Sequence, residues 1–285
     1  MGPILYLIAA AAAVTAAEPY PGFWKQWGDG QAELAAYDLT TPRYGVPRSG
    51  VAVTIFVSEM FSKSARVKAD PGKHPASDET PVIKLNLVKD YSTGIYDYNE
   101  MWSVFVEVAS GKLLKTSFSR QEWCGHVYKQ LLFDPGKVRA TMHSYFDGEA
   151  DQSVVLDSPD GLTEDSILLW ARGMAEPRLA AGETRSTPFL GGLGGKGLPQ
   201  VQLATLSRRE QPGGLEVWTV RAGNAVWSVT RETSGERRIV GWEFPGGEKA
   251  KLIASSRLKY WEMNSPAGVA ALSKLGLKPR PPRTM

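Results

Sequence analysis

The sequence is poor in the residues that carry covalent and metal chemistry, with one cysteine and three histidines in 285 residues. A single cysteine forms no disulfide within the chain, so stability has to come from a buried core. Zinc sites need several histidine or cysteine ligands, and the motifs H-E-x-x-H, G-x-S-x-G and C-x-x-C are absent. We therefore expect neither a metal nor another cofactor.

The chain also lacks an excess of one charge, because 33 basic residues nearly balance 30 acidic ones. A net charge of +3 gives no reason to expect nucleic acid as a partner. Apolar residues make up 42% of the chain, which is enough for a packed core.

The longest apolar run lies at the N-terminus, where residues 4–17 are nearly all apolar or small and no charge precedes Glu18. The run is shorter than the roughly 20 residues that a membrane-spanning helix needs. It has the length of the apolar part of a signal peptide, followed by small residues at a cleavage site. We expect residues 1–17 to be a signal peptide and the product to be periplasmic in a bacterium, without a lipid anchor; an uncleaved helix stays as the alternative.

Alternation of apolar and polar residues dominates residues 31–150. The segment SGVAVTIFVSE is apolar on both faces, and PVIKLNLVKDY places Ile83, Leu85 and Leu87 on one face. Later segments end at Ser-Gly, Asp-Pro-Gly and Asp-Gly, which favour hairpin turns. The pattern predicts an antiparallel meander. One helix is predicted over LTEDSILLWARGMA, with Thr163 as its N-cap.

A second alternating block closes the chain, with turn signals at Gly-Asn, Ser-Gly and Pro-Gly-Gly. We predict a mainly β fold, namely one large curved antiparallel sheet, a half-barrel-like meander, with one or two helices. Residues 18–277 are predicted to form one β-rich domain, and residues 278–285 a disordered basic tail. A subdivision near residues 185–200 and a separate sheet for the last hairpins stay open.

Four sequence blocks occur in order in the first half of the chain: WGDGQAEL, PRYG, TGIYDY and QEWCGHVYKQ. Together they resemble a group of uncharacterised bacterial exported proteins and lipoproteins that carry WGDGxAEL, RYG, a TGIYDY-like stretch and EWCGH. The resemblance runs from Trp27 to about Gln130 and covers the C-terminal half only loosely. It implies bacterial export and a shared β scaffold, and it implies no catalytic residues. The chain differs from the lipoprotein members because it has no N-terminal lipidation cysteine.

The stretch QEWCGHVYKQ sets the single cysteine close to a histidine. A single strand would place four of its side chains on one face, namely Glu122, Cys124, His126 and Tyr128. Cys124 is then buried as a small apolar residue, or its face binds a ligand, or Cys124 and His126 form a nucleophile and base brought together by a bulge at Gly125. We expect a structural role for Cys124 and a place for His126 and Tyr128 at the rim of a ligand cleft.

Aromatic residues recur at even spacing in the same region and again in the C-terminal hairpins. They either pack in the sheet core or line an apolar cleft for a hydrophobic ligand. The predicted ligand-binding set is Tyr96, Tyr98, Trp102, Glu122, His126 and Tyr128.

The glycine-rich stretch GGLGGKG at residues 191–197 has the composition of a phosphate-binding loop. Its spacing is one residue short before Lys196, and no Ser or Thr follows the lysine. We therefore predict a flexible loop there.

The predicted function is a non-catalytic bacterial envelope protein that binds an apolar or amphipathic ligand or assists envelope assembly. The predicted partner is a lipid or another apolar small molecule, with at most peripheral membrane association. The alternative is a thiol-dependent enzyme that uses Cys124 with His126. The sequence does not determine the oligomeric state.

Overall fold

The computed structural model describes residues 18–157 and 161–279. The predicted signal peptide, residues 1–17, lies outside the described residues, as do residues 280–285 of the predicted tail. Two short α-helices occur in the described part, α1 (Phe23–Trp27) and α2 (Ile167–Ala171). Its 3₁₀ helices are Glu164–Ser166, Pro245–Gly247, Tyr260–Glu262 and Pro266–Leu275.

Sixteen strands in the described ranges form one sheet. The first nine are β1 (Ala32–Arg43), β2 (Val46–Ser62), β3 (Val67–Lys68), β4 (Glu79–Thr93), β5 (Tyr96–Glu107), β6 (Leu113–Glu122), β7 (Gly125–Asp134), β8 (Lys137–Ser144) and β9 (Gln152–Asp157). The others are β10 (Leu162–Thr163), β11 (Thr184–Leu190), β12 (Val201–Gln211), β13 (Leu215–Ala222), β14 (Ala225–Glu232), β15 (Ile239–Phe244) and β16 (Glu248–Leu258).

The sheet runs from β10 through β16 in sequence order, then through β1, β2 and β4 to β9. Neighbours are antiparallel except β10 and β11, and β3 pairs only with β2. The path is open and curved, with β9 and β10 as its two end strands. The predicted fold class is therefore confirmed, and the C-terminal hairpins belong to the same sheet because β16 pairs with β1.

Strand β1 joins the two blocks at the centre of the sheet, and its sequence explains that position. Residues 32–37 are all buried, so the strand is covered on both faces. On one face, Tyr37 and Leu39 belong to the main core; on the other, Leu34 packs in a smaller core together with Leu275 of the C-terminal 3₁₀ segment. We call the face that bears the main core the inner face.

Helix α2 fills the inner face. All five of its residues are at most 2% exposed, and they share the main core with Ile83, Leu85 and Leu87, which the alternation of β4 had placed on one face. Burial of a large apolar side chain stabilises the fold by about 1.5 to 3 kcal/mol, so this contact fixes the helix against the sheet. The predicted helix exists but is shorter than its apolar pattern. Helix α2 is apolar on every side, as is typical of a helix that is buried all round.

The turns at one end of the sheet lie close to the inner face, and we call this end the upper end. It carries the turns 44–45, 94–95, 123–124, 223–224 and 245–247. The connection between β11 and β12, residues 191–200, also begins there, which we call the glycine loop. Leu193 of this loop is buried against the inner face of β6 to β8, so the loop covers the region where the sheet stays open.

No helix within the described residues combines the length and hydropathy that a transmembrane span requires.

Candidate functional site

A cavity of about 240 Å³ lies on the inner face at the upper end, and we call it the polar cavity. Strands β1, β4, β5, β6, β15 and β16 and the glycine loop contribute to it, together with the 3₁₀ turn Glu164–Ser166 and α2, which we call the interior helical segment. Its lining comprises Thr41, Pro42, Arg43, Leu87, Lys89, Tyr91, Glu100, Trp102, Arg120, Glu164, Asp165, Leu168, Gly194, Gly195, Phe244, Pro245 and Glu248.

One wall of the polar cavity is apolar. Leu87 and Leu168 belong to the main core, and Phe244 and Trp102 pack against that core. The centroid of the Trp102 ring also lies 4.7 Å from the centroid of the Phe118 ring, and this packing holds the Trp102 side chain in place. The wall therefore offers a rigid apolar surface of sheet side chains.

A fully bonded ion pair forms the floor. Lys89 Nζ lies 2.6 and 2.7 Å from the two carboxylate oxygens of Glu248, which also accepts hydrogen bonds from Thr41 and from the Trp242 indole. Burial alone would raise the pKa of the Glu248 carboxyl, but Lys89 and these donors lower it. Because both charges have partners within the chain, this pair is structural.

The β1 and β6 side of the cavity carries unequal charge. Glu122, whose side chain is 2% exposed, lies 3.5 Å from Arg43 and 3.7 Å from Arg120 and accepts a hydrogen bond from the Tyr98 hydroxyl. One carboxylate thus serves two guanidinium groups. The Nε atoms of Arg43 and Arg120 are buried without a hydrogen-bond partner among the described residues. This side has a surplus of positive charge and unused donors.

A second part of the lining carries buried carboxyl groups. Glu100 accepts a hydrogen bond from Tyr91, Glu164 accepts one from the Gly192 amide, and Asp165 accepts one from the Leu193 amide. In residues 18–157 and 161–279 none of these three carboxyls forms a salt bridge with a basic side chain.

Burial governs the titration of the three carboxyls. It raises the pKa of Glu100 and of Glu164, and burial together with the charge of Glu164 raises the pKa of Asp165 to about 7. Lys89, Arg120 and Lys129 act against this rise from a distance, but a cluster of buried carboxyls without salt bridges is still unfavourable, since desolvation penalises each charged form. The side is therefore suited to receive positive charge.

The glycine loop closes the cavity above these carboxyls. Besides the amide bonds to Glu164 and Asp165, Lys129 Nζ donates to the carbonyls of Gly195 at 2.5 Å and Gly197 at 2.7 Å. Glycine is required at 192 and 194, because an added Cβ would lie 2.8 Å from Glu164 and 2.9 Å from Trp102. The loop resembles a phosphate loop in composition only, since the amides of Gly192 and Leu193 are already bonded to carboxylates.

Four of the six predicted ligand-binding residues lie together on the inner face at the upper end. Trp102 lines the polar cavity, and Tyr98 and Glu122 belong to the network around Arg43. Tyr96 lies at the turn, 5.7 Å from the Tyr98 ring between centroids. The structure thus brings these residues together, while their binding role stays a prediction.

The prediction that the other two, His126 and Tyr128, share a face with Glu122 is wrong. The stretch 121–130 is a hairpin, with Glu122 paired to Gly125 across a turn at Trp123 and Cys124. Because paired residues share a face, His126 and Tyr128 lie on the outer face, opposite to Glu122. The position directly after the turn, Gly125, has no room for a side chain, because a Cβ there would lie 2.6 Å from the Tyr145 ring.

The expectation that Cys124 is buried is also wrong, because its side chain is exposed at the turn. Neither Cys124 nor His126 lines the polar cavity. Within the described part of the chain, no group of three or more His, Cys, Asp and Glu side chains is arranged to hold a metal ion. The thiol-enzyme alternative stays a prediction that no contact to the cavity supports.

Sequence reasoning missed most of the charged lining. The signal was present in β4 and β5, where Lys89 and Glu100 occupy positions that the alternation assigns to the apolar face. Charged residues on an inward face are rare unless they are paired or functional. Glu164 and Asp165 were interpreted only as favourable charges at a helix start.

No known protein family matches the chain, and no curated protein matches its sequence. Two solved structures are similar to it. A β-barrel-like protein of the domain of unknown function DUF1849 from Brucella abortus is 12% identical, with a TM-score of 0.46, over 80% of this chain and 98% of that chain. A DUF1089 family protein from Pseudomonas aeruginosa is 14% identical, with a TM-score of 0.37, over 57% and 84%. At these values neither similarity bears on function.

Proposed function

We propose that this chain is a non-catalytic bacterial envelope protein that binds a small amphipathic ligand in the polar cavity. The observation that carries the proposal is the mixed lining, in which an apolar wall with Trp102 and Leu168 adjoins two arginines with unused donors and three buried carboxyls without salt bridges. Ligand sites combine a largely apolar lining with a few placed polar groups that fix orientation. A purely structural core would have filled this space or paired these charges.

The choice of binding over catalysis rests on where the reactive side chains lie. The cysteine and histidine of the alternative are outside the cavity, at an exposed turn and on the outer face. The envelope location rests on the N-terminal pattern and on the resemblance to exported proteins. N-terminal sequencing of the product from its natural compartment should return Ala17 or Glu18 as the first residue, and Met1 would contradict export.

Native mass spectrometry tests the ligand directly. The purified protein is incubated with a lipid extract from a bacterial envelope, and retained molecules are identified after gel filtration. We expect a stoichiometric small amphiphile to remain bound. The Trp102→Leu variant should bind it about tenfold more weakly, because an aromatic contact is worth about 0.5 to 1.5 kcal/mol beyond its area.

The matched control is Trp261→Leu, since Trp261 is 44% exposed and does not line the cavity. It should bind the amphiphile as the unchanged protein does. The proposal is overturned if no amphiphile is retained, or if Trp102→Leu retains it with unchanged affinity.

A further inference from the structure

We propose that the polar cavity recognises a zwitterionic group, with an anionic carboxylate or phosphate on Arg43 and Arg120 and a cationic ammonium on Glu100, Glu164 and Asp165. This inference rests on the proposed function and names the ligand chemistry of the same site. It follows from how charge is divided across the cavity.

The anion-binding side has more donors than the chain itself uses. The Arg120 guanidinium forms no hydrogen bond with a described residue, and the carboxylate in salt-bridge contact with it is Glu122 at 3.7 Å. Arg43 contacts the same carboxylate at 3.5 Å and donates to Tyr98 at 3.2 Å. A ligand oxyanion that reached both guanidinium groups would satisfy the unused donors and balance the surplus positive charge.

The cation-binding side begins on the neighbouring strand, β5. Glu100 and Arg120 are partners in the register of β5 and β6, so their Cα atoms face each other. Paired side chains on one face of a sheet start about 5 Å apart, within reach of a salt bridge. Glu100 and Arg120 nevertheless form none, and Glu100 instead accepts a hydrogen bond from Tyr91 at 3.1 Å.

Two opposite charges held apart in a poorly solvated cavity are costly, because each loses hydration without gaining its partner. A ligand that carries one charge of each sign compensates both at once. A singly charged ligand would compensate one side and leave the other unpaired. The neutral Lys89 and Glu248 pair does not compete, since its charges are already bonded to each other.

The volume agrees with a head group rather than a whole lipid. About 240 Å³ lies below the roughly 300 to 1,000 Å³ of sites that enclose drug-sized ligands. The apolar wall is then available to the first part of an attached chain. A free small zwitterion carries the same pair of charges as a lipid head group, and the experiment below distinguishes these two ligands.

The test uses amphiphiles that share a dodecyl chain and differ only in the head, each below its critical micelle concentration. The heads are phosphocholine, phosphate, trimethylammonium and a neutral ethylene-glycol ether, and affinities are measured by isothermal titration calorimetry. We expect phosphocholine to bind at least about tenfold more tightly than the other three, as befits two charge-assisted contacts. Glycerophosphocholine, which has no chain, reports on a free zwitterion as the ligand.

Two variants separate the sides. Arg120→Gln should weaken binding of the phosphocholine and phosphate heads about tenfold and leave the trimethylammonium head unchanged. Glu100→Gln should weaken the phosphocholine and trimethylammonium heads and leave the phosphate head unchanged. For each variant, the affinities of the different head groups are compared with one another. A general loss of stability would lower all of them together and would not change their ratio. Arg209→Gln and Glu210→Gln are controls, because both side chains are exposed on β12.

The outcomes distinguish the two proposals. If no amphiphile binds saturably, the proposed function fails. If all four heads bind equally, the proposed function stands and the zwitterion inference is overturned, as it also is if a singly charged head binds most tightly. Binding of glycerophosphocholine as tight as that of its amphiphile supports the inference and makes a free zwitterion the ligand.

Discussion

Glu122 and Cys124 are two positions apart, yet they have opposite surroundings. Glu122 is buried beneath two arginines at the end of β6, and Cys124 is exposed in the turn that follows. The reason is the parity of the hairpin, since a two-residue turn reverses the chain and makes the residue after Gly125 face outward. An error of one residue in the predicted position of a turn therefore assigns every side chain of the following strand to the wrong face.

The exposure of Cys124 predicts small effects of substitution. Cys124→Ser should change the free energy of unfolding by less than about 0.5 kcal/mol, because the hydroxyl stays in water. Urea unfolding followed by fluorescence measures this. The thiol should also react with an alkylating reagent in the native protein, with Cys124→Ala as the blank. A loss above about 1 kcal/mol would mean that the side chain is buried.

Asp165 predicts a pH dependence of stability. Burial, then the charge of Glu164, raise its pKa from 3.8 to about 7. Between these values the folded state holds a proton that the unfolded state has released, so stability falls as pH rises from about 4 to about 7. The full shift corresponds to about 4 kcal/mol, the largest loss expected from this group.

Asp165→Asn removes that loss, because the amide does not ionise and its oxygen still accepts from the Leu193 amide. We expect the variant to be more stable than the unchanged protein at pH 8 and to match it near pH 4. Thermal unfolding from pH 4 to 8 measures both curves, with the exposed Asp157→Asn as control. Parallel curves for Asp165→Asn and the unchanged protein would contradict the assignment.

The glycine loop is the element that joins the two ends of the open sheet. Its Leu193 packs with Leu131 and Phe118 of the meander, while Glu164 and Asp165 bind its amides. The loop therefore contacts both the interior helical segment and the strands that face it. Its conformation and the shape of the polar cavity depend on each other, because Gly194 and Gly195 line that cavity.

A pair of glycine substitutions tests this dependence. Gly192→Ala places a Cβ 2.8 Å from the Glu164 carboxyl carbon, so we expect a loss of about 1 to 3 kcal/mol and weaker ligand binding. Gly191→Ala is the matched control, since its Cβ would meet no atom closer than 3.8 Å and Gly191 does not line the cavity. Chemical unfolding and calorimetry measure both variants. Equal effects of the two substitutions would show that the loop is not fixed by Glu164.

At the scale of the whole molecule, one buried ion pair connects the interior helix to both blocks of the sheet. Arg172, fully buried at the end of α2, bonds both carboxylate oxygens of Glu33 on β1 and the Glu236 carbonyl between β14 and β15. Its guanidinium also lies over the rings of Trp27 and Phe56, at 5.1 and 4.6 Å from their centroids. Its two terminal nitrogens thus bond both β1 and the connection between β14 and β15.

Removal of one partner should be strongly destabilising. Arg172→Met leaves the Glu33 carboxylate buried without its cation, which costs about 3 to 5 kcal/mol in pairs of this kind. The exposed pair of Arg185 and Glu183 is the control, and Arg185→Met should change the urea midpoint little. A similar midpoint for both variants would contradict a role of Arg172 in holding the two blocks together.

The sequence by itself determined the strands of its two alternating blocks and most of their turns, but not β9 to β12 between the blocks. Alternation is a local property of the chain, so Ile83, Leu85 and Leu87 could be assigned to one face without knowing what covers it. Turns at Ser110-Gly111 and Pro245-Gly246 were predicted because these residue pairs adopt the required backbone angles themselves. The mainly β fold class follows from these local signals.

Only the tertiary structure decided the site. The turn at Trp123 and Cys124 carries no strong local signal, and its place is fixed by cross-strand pairing and by the approach of Tyr145 to Gly125. The charges of the polar cavity come from strands far apart in sequence, such as β4 and β16, whose neighbourhood arises from the order of strands in the sheet. Which charges find partners is a property of distances between elements, and no local pattern in the sequence encodes those distances.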